Sequence, residues 1–396
     1  MLVEIVSLGS LAVPLLLALA IAVRRIDHGM VDEKALAIVT ACGAASAMIA
    51  APIWGWASDR TRRRGAGRAG WILGGNVAGM AALLWVTQAS SVTELTLAWC
   101  AAQLAYNSTF ATLYGLIGDH TDDRDRSHVS GLFGASAVLS VVVAMGLATV
   151  LPKNVPALVL PLPALAVVVA AVAFVVLRRY ADVPVAAAEK QRLSLRRQHQ
   201  FWLIWLQRLL GQLAYSFVTA FGLFFLIRRV ELGEERAATW VAGTAAAAAI
   251  LSAVASVVAG RIARNRSYLP FIVTAMVLLA AGSVVKAIGD DLQAYVVATV
   301  LVAVAIGCYY AVDLALVLRV VPPGTAGQLL GVFNIARTLP QSLAPALAPA
   351  ILAWGDGDVV GDSSQNYFAL YSVGAAVALI ALCTLPWTVA ARRRPT

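Results

Sequence analysis

The sequence predicts an all-α membrane protein of twelve transmembrane helices. Three observations carry this: the composition, the length of the apolar runs, and the confinement of charge to the turns between them. Apolar residues make up 60% of the 396 positions and charged ones only 13%, with a mean hydropathy of +0.80. An ordinary soluble domain carries about 25% charged residues. Crossing roughly 30 Å of hydrocarbon takes about 20 apolar residues at 1.5 Å per residue. Runs of that length fall near 2–23, 34–57, 69–88, 92–118, 129–151, 157–177, 202–227, 237–259, 268–288, 293–318, 327–354 and 367–390. Twelve is even, so both termini share a side. Cys42, Cys100, Cys308 and Cys383 lie inside these runs without paired spacing, so neither a disulfide framework nor a metal site is expected. No cofactor is expected either.

The turn after the second run fixes the orientation. Between Gly55 and Arg68 stand five arginines and one aspartate. Each would cost on the order of 3 kcal/mol at mid-bilayer, so the stretch is a surface hairpin. Loops rich in Lys and Arg stay in the cytoplasm, which puts Met1 inside. The census agrees, with about twenty basic residues on the cytoplasmic side and about eight outside. The expected location is the cell (inner) membrane, multi-pass, with both termini cytoplasmic. The first run is of span length and lacks a small-residue cleavage pattern, so no cleaved signal peptide is expected. Arg24-Arg25 and Arg228-Arg229 are local exceptions, read as side chains snorkelling to the interface. The net charge of +9 sits in short hairpins facing anionic lipid and not on an exposed domain, so no nucleic-acid partner is expected.

The longest polar stretch, Arg178 to Gln200, holds six basic residues and reads as a linker between two halves. The domains are therefore 1–178, a cytoplasmic linker 179–201, and 202–396. Within the linker, Leu193 to Arg197 is either a basic amphipathic segment on the inner leaflet or part of a plain tether. Aligning Ser130-Gly131-Leu132-Phe133 with Leu330-Gly331-Val332-Phe333 gives a repeat offset of 200 residues. The second copy of the opening hairpin, Gly260 to Arg266, lacks the aspartate. Gly70, Gly74, Gly75 and Gly79 form a small-residue stripe on the third run that favours close helix approach.

Gly55-x-x-x-Asp59-Arg60 at the second hairpin of a many-span chain resembles the signature of the major facilitator superfamily. The fuller wording runs from Pro52 through Ser58-Asp59-Arg60-Thr61-Arg62, with Gly67-Arg68 and Trp71-Ile72-Leu73-Gly74-Gly75 after it. It is similar to the branch of glycoside-pentoside-hexuronide:cation symporters and sucrose carriers. The resemblance implies a major facilitator fold of two pseudo-symmetric six-helix bundles and a secondary active transporter working by alternating access, taken to be a monomer. Spans one, four, seven and ten would line a central cavity, and the substrate would be a sugar or glycoside. It also implies a gating latch made of Gly55, Asp59, Arg60, Arg64 and Asp119, with Asp59 near the start of the eleventh helix and an arginine bridging to Asp119. The plainer reading of those arginines is anchoring to the inner leaflet. Two departures bear on the transfer. Residues 34–57 contain no acid beyond neighbouring Glu33, against a sodium site there. Gly131 to Leu151 contains no proline, against a drug antiporter.

Charge inside a span is costly unless paired or wetted. Asp313 and Arg208 stand about 8–9 Å inside their runs, close enough in depth to pair. The pair is either the coupling group, taking up a proton in the cycle, or a static structural bridge. Glu4 reads as an interfacial helix cap. Polar residues at helical spacing form stripes: Gln103, Tyr106 and Asn107; Gln212 and Tyr215; Tyr309 and Tyr310; Asn334, Arg337 and Gln341. Amides, hydroxyls and aromatic faces together suit a neutral polyol. Isolated polar residues also bond between helices for about 0.6 kcal/mol each, which accounts for a share of them. Pro340, Pro345 and Pro349 kink the eleventh run, as hinge or ordinary bend. His28, His120, His128 and His199 lie in or beside loops, without the base and nucleophile pairing of an enzyme. The competing readings are an exporter of a drug-like or secondary metabolite and a non-transporting membrane sensor or scaffold.

Overall fold

The computed structural model describes residues 1–26, 33–64, 67–122, 124–152, 154–180, 195–264, 266–321, 325–355, 357–360 and 365–385. Most of the linker, including Leu193 and Ser194 of the basic segment, and the tail arginines Arg392 to Arg394 lie outside them. The described chain is helical, with no strand among these residues. The first span comprises α1 (Leu2–Val13), a π turn at Pro14–Ala18 and α2 (Leu19–Ile26). Pro14 supplies no backbone donor, and the ladder widens where it enters. Four long helices follow: α3 (Glu33–Arg63), α4 (Ala69–Gln88), α5 (Val92–His120) and α6 (Arg126–Val150). A short α7 (Val155–Val159) leads into α8 (Pro161–Tyr180). The second half runs through α9 (Leu195–Ala220), α10 (Gly222–Arg228), α11 (Glu234–Ile262), α12 (Leu269–Ile288), α13 (Leu292–Leu318), α14 (Ala326–Leu352) and α15 (Tyr367–Cys383).

Nine of these helical rods are long and apolar enough to cross a membrane, by length and composition among the described residues. The helices α5 and α14 fall outside that group because they carry the polar stripes, and α15 because its described part is 17 residues long. Exposed apolar side chains recur at helical spacing, as in Leu165, Val168, Val172 and Val175 of α8 and Ile250, Val254, Val258 and Ile262 of α11. Such faces suit hydrocarbon as the solvent.

The repeat is written in the element bounds. Helices α4, α5 and α6 begin at 69, 92 and 126, and α12, α13 and α14 at 269, 292 and 326. Even the caps match. Ser91 accepts from the Glu94 N–H at 3.2 Å, and Asp291 from the Ala294 N–H at 2.7 Å, satisfying a donor that a helix start leaves orphaned. Packing repeats as well: α5 lies against α3 and α4 as α13 lies against α11 and α12, and α8 against α4 and α1 as α15 against α12 and α9.

By contacts the chain divides into two compact units. Unit 1 holds Met1–Thr121, Leu139–Arg192 and Val321–Ile335; unit 2 holds Asp122–Val138, Leu193–Val320 and Ala336–Thr396. Each unit thus takes the first turns of α6 or α14 from the other half of the sequence. The core of unit 1 is aliphatic, with Trp99 and Tyr106 fully buried in it. That of unit 2 is aromatic, with Phe225 against Tyr295, Tyr367 and Tyr371 at centroid distances of 5.6–6.2 Å.

Of the basic pairs read as snorkelling ends, Arg24 and Arg228 stay exposed, while Arg25 and Arg229 reach backbone carbonyls. Arg25 donates to the Thr87 and Ala89 carbonyls at 3.0 and 2.9 Å, satisfying the end of α4. Arg229 donates to the Lys286, Ala287 and Val360 carbonyls and lies 3.5 Å from Asp358. Orphan carbonyls at helix ends explain both, since an arginine fork can serve two at once. Glu4, in the first turn of α1, is buried in unit 1.

Candidate functional site

The opening hairpin builds the densest polar cluster in unit 1. At the end of α3, residues 58, 59 and 62 share the inward face, so Ser58 and Asp59 are buried and Arg62 reaches across to α5. The chain turns, and Arg68 comes back at the N-cap of α4 with its guanidinium inside. It donates to Ser58 Oγ at 2.9 Å and Asp59 Oδ1 at 2.6 Å, and pairs with Asp119 Oδ2 at 2.8 Å. Arg62 also pairs with Asp119. The Asp59 carboxylate accepts the Gly327 and Gln328 N–H groups at 3.1 and 2.9 Å, at the start of α14. A carboxylate there satisfies orphan donors and sits at the positive end of the helix dipole. Three glycines make room. A Cβ at Gly55 would run into the Gly327 carbonyl, one at Gly115 into Arg68, and one at Gly327 would lie 2.7 Å from Asp59.

Of the latch residues expected from sequence, Gly55, Asp59 and Asp119 are in this cluster. Arg60 and Arg64 are not: both are exposed, and Arg60 lies over Trp56 at 5.4 Å. One residue of helix rotates a side chain by about 100°, so Arg60 turns away from the face that Asp59 occupies. Arg62 and Arg68 supply the charge instead. Arg68 reads from sequence as one more surface cation, and only the chain reversal puts it inside.

Unit 2 gathers a second polar set. Arg208 and Asp313 pair at 3.3 Å, both buried. Tyr309 donates to Gln207 Oε1 at 3.0 Å, Gln212 donates to the Tyr310 hydroxyl at 3.4 Å, and Arg337 lies over the Tyr310 ring at 5.4 Å. Tyr215 neighbours Tyr310 and Arg337. The stripes predicted on α9, α13 and the later part of α14 therefore meet. Gln341, further along α14, is exposed, and Asn334 belongs to unit 1.

In unit 1 the α5 stripe is divided. Gln103 is partly exposed, while Asn107 is buried and donates to its own helix at the Gln103 carbonyl, 2.8 Å away. Tyr106 faces the core, its ring over Gly79 of α4, because steps of three and four residues also describe a packing face. A chain that sequence reading missed ties three helices together: Ser7 donates to Asn76 Oδ1 at 2.8 Å, and Asn76 to Thr109 Oγ1 at 3.1 Å.

Lys286 was missed too, lying inside the run 268–288 without being singled out. It is buried on α12, donating to the Val218 carbonyl at 2.8 Å, with Tyr295 and Tyr371 rings 4.6 and 5.5 Å from its ammonium. The seventh span breaks at Phe221, between α9 and α10, where φ is −111° and ψ 22°. Such a break frees carbonyls in the turn before it, and the lysine donates to the one at Val218, three residues earlier. The signal was available as a lysine three residues inside the end of an apolar run. Among the described residues, no three His, Cys, Asp or Glu side chains converge as a metal site.

A duplicated, all-helical chain with lipid-suited faces and buried ionic clusters defines a multi-span membrane carrier. It belongs to the Major Facilitator Superfamily, whose description matches residues 6–345. Members of that family are transporters and not enzymes, working on small molecules from within a lipid bilayer. No curated protein matches the sequence significantly. Among solved structures, the human organic anion transporter MFSD10 (TETRAN) is similar at 15% identity, with 97% of each chain covered and a TM-score of 0.74. The transporter FucP in the outward conformation is similar at 8% identity, with 99% of this chain and 98% of that one covered and a TM-score of 0.73. A bacterial homologue of the iron transporter ferroportin, outward-facing, is similar at 17% identity, with 98% of each covered and a TM-score of 0.71. These likenesses establish the fold.

Proposed function

We propose that the chain is a secondary active transporter of a small polar solute, a sugar or glycoside, working by alternating access in the cell membrane with both termini cytoplasmic. Residues 1–178 and 202–396 form its two six-helix bundles, joined by the linker 179–201. One observation carries the reading: the buried Arg208–Asp313 pair at 3.3 Å, set among Tyr215, Tyr309, Tyr310, Gln212 and Arg337. Amide and phenol groups orient hydroxyls, tyrosine faces stack on the apolar side of a pyranose ring, and a carboxylate held by one arginine can trade that partner for a proton. The branch of cation-coupled sugar carriers is favoured by the Ser58-Asp59-Arg60-Thr61 wording. Protons are the coupling ion that Asp313 suits, since residues 34–57 contain none of the acids that a sodium site would use. The Asp59–Arg68–Asp119 cluster acts as a cytoplasmic latch, breaking for the inward-open state and thereby biasing a two-state equilibrium.

Purified protein in liposomes with an imposed proton gradient tests this. Labelled sugar uptake should follow the gradient in the wild type and lose that dependence in Asp313→Asn, with exchange of sugar retained. Gradient-driven uptake that persists in the variant would reduce the pair to a structural bridge. A second reading, export of a small amphipathic metabolite, draws on the aromatic weight of the same set and on Arg337 over Tyr310. Expulsion of an aromatic anion from the same liposomes, with sugars inert, would select it.

A further inference from the structure

A groove of about 510 Å³ opens on the side of unit 1, between the end of α3 and the start of α4. Trp54, Thr61, Gly67, Gly70, Trp71 and Gly74 line it. The glycines of α4 divide into two kinds. A Cβ at Gly75 would collide with Ser108 and one at Gly79 with the Tyr106 ring, so those two allow the close helix approach expected of the whole stripe. A Cβ at Gly70 or Gly74 would meet nothing within 4 Å. Glycine weakens a helix relative to alanine, and here no contact among the described residues requires one. What Gly70 and Gly74 keep is open space.

The walls and rim describe what fills it. Trp71 is fixed by donating to Thr61 Oγ1 at 3.0 Å and packs on Trp54 at a centroid distance of 5.4 Å. Tryptophan concentrates at the depth where acyl chains meet headgroups. The hairpin beside the groove is electrically lopsided. Asp59 and Asp119 turn inward and are paired by Arg68 and Arg62, while Arg60 and Arg64 stand exposed, with no carboxylate paired to them among the described residues.

We infer that this groove is a binding site for an anionic phospholipid of the leaflet that the hairpin faces. One acyl chain lies along Gly70 and Gly74 between the two tryptophans. The headgroup phosphate lies against Arg60 and Arg64. The site ties the hairpin carrying the ionic cluster to the composition of the surrounding membrane.

Native mass spectrometry of the full chain in detergent, titrated with dioleoyl phosphatidylglycerol or dioleoyl phosphatidylcholine, tests it. The wild type should hold phosphatidylglycerol in preference. Gly74→Leu, with Gly70→Leu as a second plug should the first not fold, fills the groove and should abolish retention of both lipids with an unchanged melting temperature. Arg60→Gln with Arg64→Gln should keep the chain site and lower the preference for phosphatidylglycerol by on the order of tenfold. Undiminished phosphatidylglycerol retention in the plugged proteins would overturn the site, and an undiminished preference in the arginine variant would overturn its anionic character. A wild-type dimer that the plugs convert to monomer would place a second copy in the groove and overturn it as well.

Discussion

The two copies of the hairpin share a backbone design and differ in charge. In unit 1, α3 approaches α14 where Gly55 faces Gly327 and Gly331 faces the Ala51 carbonyl. In unit 2, α11 approaches α6 where Gly260 faces Ser127 and Gly131 faces the Ser256 carbonyl. Both crossings are close because glycine lets the backbones meet. The polar chemistry then diverges. Position 68 is the arginine that holds Asp59 and Asp119; the equivalents of 68 and 119 are Tyr268 and Arg319, stacked at 3.9 Å. The aspartate itself has no counterpart, and the second hairpin's ion pair, Arg264 to Asp125 at 2.7 Å, is about half exposed at each end. Duplication preserved the crossing, and a buried ionic lock remains on one side only. Breaking a buried pair by removing one partner costs on the order of 3–5 kcal/mol, whereas an exposed pair is worth about 0–1.

The largest effect therefore belongs to Arg68. Arg68→Gln leaves Asp59 facing the start of α14 without its cation and halves the neutralisation of Asp119. The expected loss is about 3–5 kcal/mol, read as a lower midpoint in denaturant unfolding of the detergent-solubilised protein. Restoring neutrality with Asp59→Asn in the same chain should recover part of it, because two uncharged groups leave no orphan ion. If the single variant unfolds at the wild-type midpoint, the cluster is not the lock described.

Glycine variants sharpen the shared part. Gly55→Leu and Gly260→Leu each push a side chain into facing backbone, costing about 1–3 kcal/mol by overpacking. The two should fall together in melting temperature, since the crossing and not the charge is being tested. A loss confined to Gly55→Leu would show that the second crossing is slack.

Much of this was legible in the sequence, and the limits are physical. Span count and repeat follow from hydropathy and from an offset of 200 residues, and both depend on bulk transfer energy that needs no partner to be known. The Arg208–Asp313 pair was readable because charge at mid-span must find its opposite. Arg60, Arg64 and Arg68 look alike in sequence, yet helix phase sends the first outward and chain reversal buries the last. Lys286 went unnoticed because its partner is a backbone carbonyl exposed by a helix break, and no side-chain pattern announces a break at Phe221. Tyr106 misled because a packing face and a lining face have the same period.

Smaller still is the stacked pair of the second hairpin. Arg319 is exposed over a buried Tyr268, so Arg319→Gln removes a cation–π contact and little packing. Such a contact at an exposed site is worth about 0.5–1 kcal/mol, and thermal melting at low salt should show a drop of that order. Tyr268→Phe, which keeps the ring, should leave the melting temperature in place.

The smallest expected effect is at Arg264, and it is the sharpest contrast to Arg68 because both are arginines paired with an aspartate in equivalent hairpins. The Arg264 and Asp125 side chains keep 53% and 42% exposure, so water already solvates each charge before the pair forms and after it breaks. Arg264→Ala should change unfolding free energy by about 0–1 kcal/mol, and that remainder should vanish as salt rises and the Debye length shrinks. The Arg68→Gln loss should persist in the same salt series, because ions cannot screen charges that solvent does not reach. Equal salt sensitivity of the two variants would mean that the first hairpin's cluster is wetted, and the distinction between a buried lock and a surface pair would fall.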